Sequence, residues 1–91
     1  MAKRIYEAPE RIDRYTADGV QKDLEVLIAE GTDELVMDMT KTDYVSSAGI
    51  RVIVSIRNRM QEKGSFELFN VSAKVMQLLD ITGITSFLTI R

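Results

Sequence analysis

Residues 43–60 read "DYVSSAGIRVIVSIRNRM": two serines, a small residue and a glycine stand between a polar loop and a long apolar run. Whether that run is a strand or a helix decides the fold. In "IRVIVSI" (50–56) the residues Ile50, Val52, Val54 and Ile56 alternate strictly and are β-branched, which favours a strand on propensity alone. Three features favour a helix. Serines stand where an N-cap belongs, the run continues through "RNRMQEK" (57–63) past the length of a typical strand, and Gly64 offers a terminator. We read a helix buried on more than one side, with Ile53 and Val54 against a sheet.

Upstream, "RYTADGVQKDLEVLIAEGTDE" (14–34) repeats Val20, Leu24, Leu27 and Ile28 at helical spacing, with Thr16 or Asp18 as a cap and Gly31 as a stop. "ELVMDM" (34–39) places Leu35, Met37 and Met39 on one side and Val36 on the other, as a short, mostly buried strand does. Downstream, "SFELFNV" (65–71) opposes Phe66 and Leu68 to Phe69 and Val71. Ser72 then caps "AKVMQLLDITG" (73–83), whose stripe is Val75, Leu78 and Leu79. The tail "ITSFLTIR" (84–91) reads as a short turn and an edge strand. Helices lying between strands imply right-handed crossovers and a parallel sheet, so the expected class is α/β, one domain over residues 1–91.

Composition narrows the function. The chain has 91 residues, 45% apolar and 29% charged, an ordinary balance for one small globular domain. Its 12 basic and 14 acidic residues are spread along the chain rather than gathered in a basic stripe, so nucleic acid is not an expected partner. With no cysteine there is neither a disulfide framework nor a thiolate zinc site. With no histidine, Ser-His-Asp and Cys-His catalysis, histidine phosphotransfer and most catalytic metal sites are removed together. An enzyme would have to work with carboxylates, lysines and hydroxyls, and we expect no cofactor or metal. "MAKRIYEAPERIDRY" (1–15) lacks the apolar core of a signal peptide, and no run reaches membrane-spanning length, so we expect a cytoplasmic protein without membrane insertion.

In α/β sheets, binding gathers where strand C-termini hand over to helix N-termini, and "DMTKTDYVSSAG" (38–49) is such a handover. If Ser46 is the cap, Ser47 lies in the first helical turn near free N–H groups, a place that suits an anion or a phosphate carried by the serine itself. Ala48 and Gly49 keep bulk away from that corner, so another protein's active site can approach the hydroxyl. Arg51, one turn beyond Ser47, reads either as a phosphate contact or as part of a solvated face with Arg57, Arg59 and Lys63. Asp38 and Asp43 read as structural residues: a receiver-type phosphoacceptor site needs an acidic pair and a lysine that "KRIYEAP" (3–9) and "ELFNVS" (67–72) do not supply.

At this point "LVMDMTKTDYVSSAGIRVI" (35–53) resembles the signature of the STAS domain, in the branch of bacterial anti-sigma-factor antagonists. "PERIDRYTADGVQKDLEVLIAEG" (9–31) resembles the family's first helix and its approach. "KGSFELFNVSAKVMQLLDITGITSFLTI" (63–90) resembles its next strand, helix and closing segment. The resemblance implies a STAS-type fold, a small mostly parallel sheet with helices packed against it. It implies a switch in which the unphosphorylated form binds an anti-sigma factor that is often itself a serine kinase, with a phosphatase reversing the modification. The family's acceptor falls on Ser47. Ser46 stands where the family has an aspartate, and Ser46 is the alternative acceptor. Asp43, Ser46, Ser47, Ala48, Gly49 and Arg51 are the implied partner-binding residues.

Two other classes stay open: a STAS accessory subunit of a lipid or anion transport system, and a small hydrolase using serine and lysine, for which no lysine is well placed. Members of the family it resembles usually begin with one or two strands before "RID", and many finish with a further helix. Here "KRIYEAP" leaves room for one short strand and the sequence stops at Arg91, so we expect a sheet shortened at both ends. Its barer edge would support a weak homodimer.

Overall fold

The ambiguous run is a helix. In a computed structural model describing residues 2–91, Ser47–Met60 forms α2, and its buried residues are Gly49, Val52, Ile53, Ile56 and Met60. That spacing has the helical period, so packing overrides the β-branched propensity of the run. The burial is narrower than expected: Ile50 and Val54 are only half-buried, because the sheet lies on one side of the helix and Arg51, Asn58 and Arg59 face solvent. Gly64 has a different role from the expected terminator. The helix ends at Met60, whose carbonyl accepts from the N–H groups of Lys63 and Gly64, and a Cβ on Gly64 would overlap the carbonyl of Asp33.

Ahead of α2 come β1 (Lys3–Glu7), β2 (Arg11–Ile12), α1 (Ala17–Ala29), β3 (Glu34–Asp38) and β4 (Tyr44–Val45). After it come β5 (Ser65–Phe69), α3 (Ala73–Thr82), a 3-10 turn (Ile84–Phe87) and β6 (Thr89–Ile90). Four strands form one parallel sheet in the order β1-β3-β5-β6, and β2 and β4 form a separate two-stranded parallel ladder. The α/β class and the parallel sheet therefore stand as expected.

Register places Leu35 beside Phe66 and Met37 beside Leu68, and these four join the buried residues of all three helices in one core. The other face of the sheet is open: Lys3, Ile5, Val36, Asp38, Glu67, Phe69 and Arg91 line a shallow hollow on it. Parallel strands covered on both faces read as continuous apolar runs. "ELVMD" and "SFELF" alternate instead, which is the pattern of a sheet covered on one side.

The start of α1 differs from the capping expected. Thr16 occupies the N-cap position without a side-chain cap bond, and its hydroxyl instead donates to the Arg11 carbonyl at 2.8 Å and accepts from the Asp13 N–H at 3.0 Å. Asp18 lies inside the first turn. Gly31 does end the helix, with φ +95 and its N–H on the Ile28 carbonyl.

Ile53 is fully buried on the core face of α2. Replacing it with Ala removes three carbons and leaves a cavity, so we expect a loss of about 2–4 kcal/mol in urea unfolding. A loss below about 0.5 kcal/mol would place the residue at the surface and refute the packing described.

Candidate functional site

The loop before α2 is stitched to the segment after β1. The Thr42 hydroxyl, buried, donates to the Pro9 carbonyl at 2.7 Å, the Asp43 N–H donates to the Glu10 carbonyl at 2.8 Å, and the Ser46 N–H donates to the Ile12 carbonyl at 2.9 Å. Between them β2 and β4 pair Arg11 with Tyr44 and Ile12 with Val45. Gly49 completes the joint: a Cβ there would stand 2.5 Å from the Ile12 oxygen and 2.8 Å from Val45 Cγ1. Gly49 is thus an access residue only indirectly. It lets α2 close onto β2.

The two serines divide their roles. Ser46 is the N-cap, half-buried, in extended backbone, and its Oγ accepts from the Gly49 N–H at 3.4 Å. Ser47 is the first helical residue and is exposed. It opens on a concavity of about 450 Å³ lined by Arg11, Asp13, Arg14, Tyr15, Tyr44, Ser46, Ser47, Ala48 and Arg51. A second hollow of about 400 Å³ continues from it between α1 and α2, sharing Ala48 and Arg51.

Of the residues expected at the site, Ser46, Ser47, Ala48 and Arg51 are brought together around this concavity, Gly49 is packed beneath it, and Asp43 does not line it. Asp43 stays in the loop before β4, exposed. Arg11, Asp13, Arg14, Tyr15 and Tyr44 were missed by sequence reasoning. Arg11 and Tyr44 meet through the β2–β4 ladder, a pairing of two residues per strand that leaves no periodic trace in the sequence.

The lining is basic and aromatic. The Arg11 guanidinium lies 4.6 Å from the Tyr44 ring centre, and its Nε pairs with Asp13 Oδ2 at 3.3 Å. Arg14 lies 4.8 Å from the Tyr15 ring and donates to its hydroxyl at 2.6 Å. Asp13 is committed to the loop: its Oδ1 accepts from the Tyr15 N–H at 2.9 Å and the Thr16 N–H at 3.2 Å. Chiefly the Tyr15 N–H, and then Arg11 and the Thr16 N–H, hold its carboxyl below the usual carboxylate range against a smaller opposing desolvation.

Asp38 is a turn residue in the same sense. The Thr40 hydroxyl, then the Thr40 N–H, lower its pKa, and Asn70 Nδ2 donates to the Thr40 hydroxyl at 2.9 Å. Both of its main bonds are spent locally, so the structural reading of Asp38 fits the geometry.

A family model described as the STAS domain matches residues 3–91. The chain belongs to the STAS domain family. An anti-sigma-B factor antagonist of Listeria monocytogenes is 32% identical over 81 residues, covering 88% of this chain and 71% of that protein. The crystal structure of an anti-sigma factor antagonist from Mycobacterium paratuberculosis superposes with a TM-score of 0.88 at 15% identity, covering 98% of this chain and 76% of that one. A sulfate transporter family protein from Wolinella succinogenes superposes with a TM-score of 0.72 at 20% identity, covering 92% and 70%. At these identities the two structures are alike in fold alone, and both are consistent with the STAS architecture seen here. Among the described residues no helix is long and apolar enough to cross a membrane.

Two outcomes test the build of this STAS corner. Gly49→Ala should push α2 off β2 and lower stability by about 1–3 kcal/mol, measured by urea unfolding. An unchanged midpoint would mean that the close approach to Ile12 is relieved without strain. Because the folded pKa of Asp13 is depressed, its contribution is present above its unfolded pKa and is lost as pH falls through the folded value. Asp13→Ala should therefore be destabilised relative to wild type at pH 7, and the gap should shrink at an acid pH below the ordinary carboxylate range. An equal gap at both pH values would count against this role.

Proposed function

We propose that this STAS chain is an anti-sigma-factor antagonist. Unphosphorylated, it binds and sequesters an anti-sigma factor that is also a serine kinase, and phosphorylation of Ser47 releases it. A serine phosphatase restores the binding form. The observation that carries the reading is the exposed Ser47 hydroxyl in the first turn of α2, beside a Ser46 whose Oγ is already engaged in the cap. The name of the Listeria relative supports the same reading. The chain's role is binding rather than catalysis, and its place is the cytoplasm.

In the transfer, Ser47 Oγ forms a bond to the γ-phosphorus of ATP, the bond to the β–γ bridging oxygen breaks, ADP leaves and the hydroxyl proton passes to a base of the kinase. Ser46 is the less suitable acceptor, since modifying it would break the helix cap. Three arginines and one aspartate line the concavity, a local charge of roughly +2, and a phosphoserine adds about −1.5 to −2. A partner surface complementary to the unmodified corner is acidic, and phosphorylation cancels the charge that attracts it. A penalty of about 3 kcal/mol weakens binding roughly a hundredfold, enough for a switch.

The accessory-subunit reading has only a likeness of fold to the transporter-family protein behind it. A weak homodimer through the outer edge of β1 belongs to the proposal as a second, separate contact.

Incubating variants with the kinase and ATP, then measuring intact mass and complex formation, tests the switch. Ser47→Ala should fold, bind the partner and take no phosphate. Ser47→Asp should fold and lose the partner. Ser46→Ala should lose about 1 kcal/mol of stability and still accept phosphate. Full phosphate incorporation into Ser47→Ala would refute the acceptor assignment.

A further inference from the structure

We propose that two copies of the chain pair through β1 as antiparallel strands, in a single register centred on Ile5. β1 is bonded to β3 and to no other strand among the described residues. The Ala2 carbonyl accepts from the Asp33 N–H at 3.0 Å and from the Glu34 N–H at 3.2 Å, and the Ala8 N–H donates to the Asp38 carbonyl at 2.9 Å. Successive residues of a strand aim their N–H and C=O groups to opposite sides. The backbone groups of Ala2, Arg4, Tyr6 and Ala8 therefore face β3, and the N–H and C=O groups of Lys3, Ile5 and Glu7 point outward with no strand among the described residues to receive them. Neither a proline nor a bulge interrupts them.

A lysine on an edge ordinarily discourages pairing. Here the edge carries its own complement. Reversed against itself about Ile5, "KRIYE" sets Lys3 opposite Glu7 of the second copy, Arg4 opposite Tyr6 and Ile5 opposite Ile5, and the symmetry repeats each contact. Parallel pairing in register would instead set Lys3 against Lys3 and Glu7 against Glu7. The charges select the antiparallel arrangement.

Hydrogen-bond parity agrees with that choice. Lys3, Ile5 and Glu7, the three residues with outward backbone groups, are the ones that become the closely bonded pairs, giving about six inter-strand hydrogen bonds. Their side chains lie on the open face. Ile5 is 61% exposed there beside its register partner Val36, and pairing covers Ile5 with Ile5 and joins two Val36–Ile5 strips.

On the helix side, the Tyr6 hydroxyl donates to Asp23 at 3.0 Å and Arg4 pairs with Glu30 at 3.2 Å. The register brings Arg4 of one copy against Tyr6 of the other, so its guanidinium stands between its own Glu30 and the Tyr6–Asp23 pair of the second copy. One sheet then runs through both copies. The contact is short, so the dimer is weak and depends on concentration.

The contact shares no residue with the Ser47 concavity, so it stands or falls independently of the anti-sigma reading. Sedimentation velocity on the 91-residue chain, from about 10 μM to about 1 mM, tests it by charge exchange. Wild type should pass from monomer to dimer across that range. Lys3→Glu and Glu7→Lys should each weaken dimerisation about tenfold, because both symmetry-related pairs turn from attraction to repulsion. The double variant K3E/E7K should restore it. Both positions are exposed, and circular dichroism would show each variant folded. A wild type that stays monomeric throughout, singles that dimerise as well as wild type, or a double variant as weak as the singles would each overturn the proposal.

Discussion

The carbonyl of Ile12 accepts from the Ser46 N–H while the Cα of Gly49 packs against it. This one backbone group joins the two-stranded β2–β4 ladder to the first turn of α2. A β-carbon at position 49 would stand between them, so a glycine is required by approach and not by an unusual φ. With the joint closed, Arg11, Asp13 and Tyr44 are held beside Ser46 and Ser47, and a two-residue ladder too short to be stable alone becomes the wall of a concavity. Opening the joint would leave the core strands paired and would disperse the site.

That dependence explains what was legible in the sequence. The strands "ELVMD" and "SFELF" and the stripes of α1 and α3 announce themselves by period, because each packs one face against a single core. The helix at residues 47–60 was legible through its cap and length, even though its β-branched alternation argues for a strand. Its buried set, Val52, Ile53, Ile56 and Met60, shows why: the residues that alternate do not all face the core.

The site was legible only on the α2 side. Ser46, Ser47, Ala48 and Arg51 are neighbours along one segment, and a reading along the chain finds them. Arg11 and Arg14 are far away in sequence and arrive through β2–β4 pairing and the Asp13 turn, neither of which has a periodic signature. Asp43 was expected among the partner-binding residues because it is close to Ser47 in sequence. Its N–H is held by the Glu10 carbonyl, and its side chain stays outside the concavity. The charge around Ser47 is set by Arg11, Asp13, Arg14 and Arg51, and residues 38–49 contribute none of the charged lining.

The division of labour between the serines bears on why a modification here would act on binding rather than on folding. Ser46 already accepts from the Gly49 N–H, so the helix does not need the Ser47 hydroxyl for its cap. A charge on Ser47 would stand at the positive end of the α2 dipole and among arginines, both of which favour it in the folded chain. No core residue is displaced, since Ser47 is exposed. The free-energy change of phosphorylation would then fall almost wholly on whatever packs over the corner. That is what a switch requires, because a modification that also unfolded a domain of 91 residues would consume much of a stability of only about 5–15 kcal/mol.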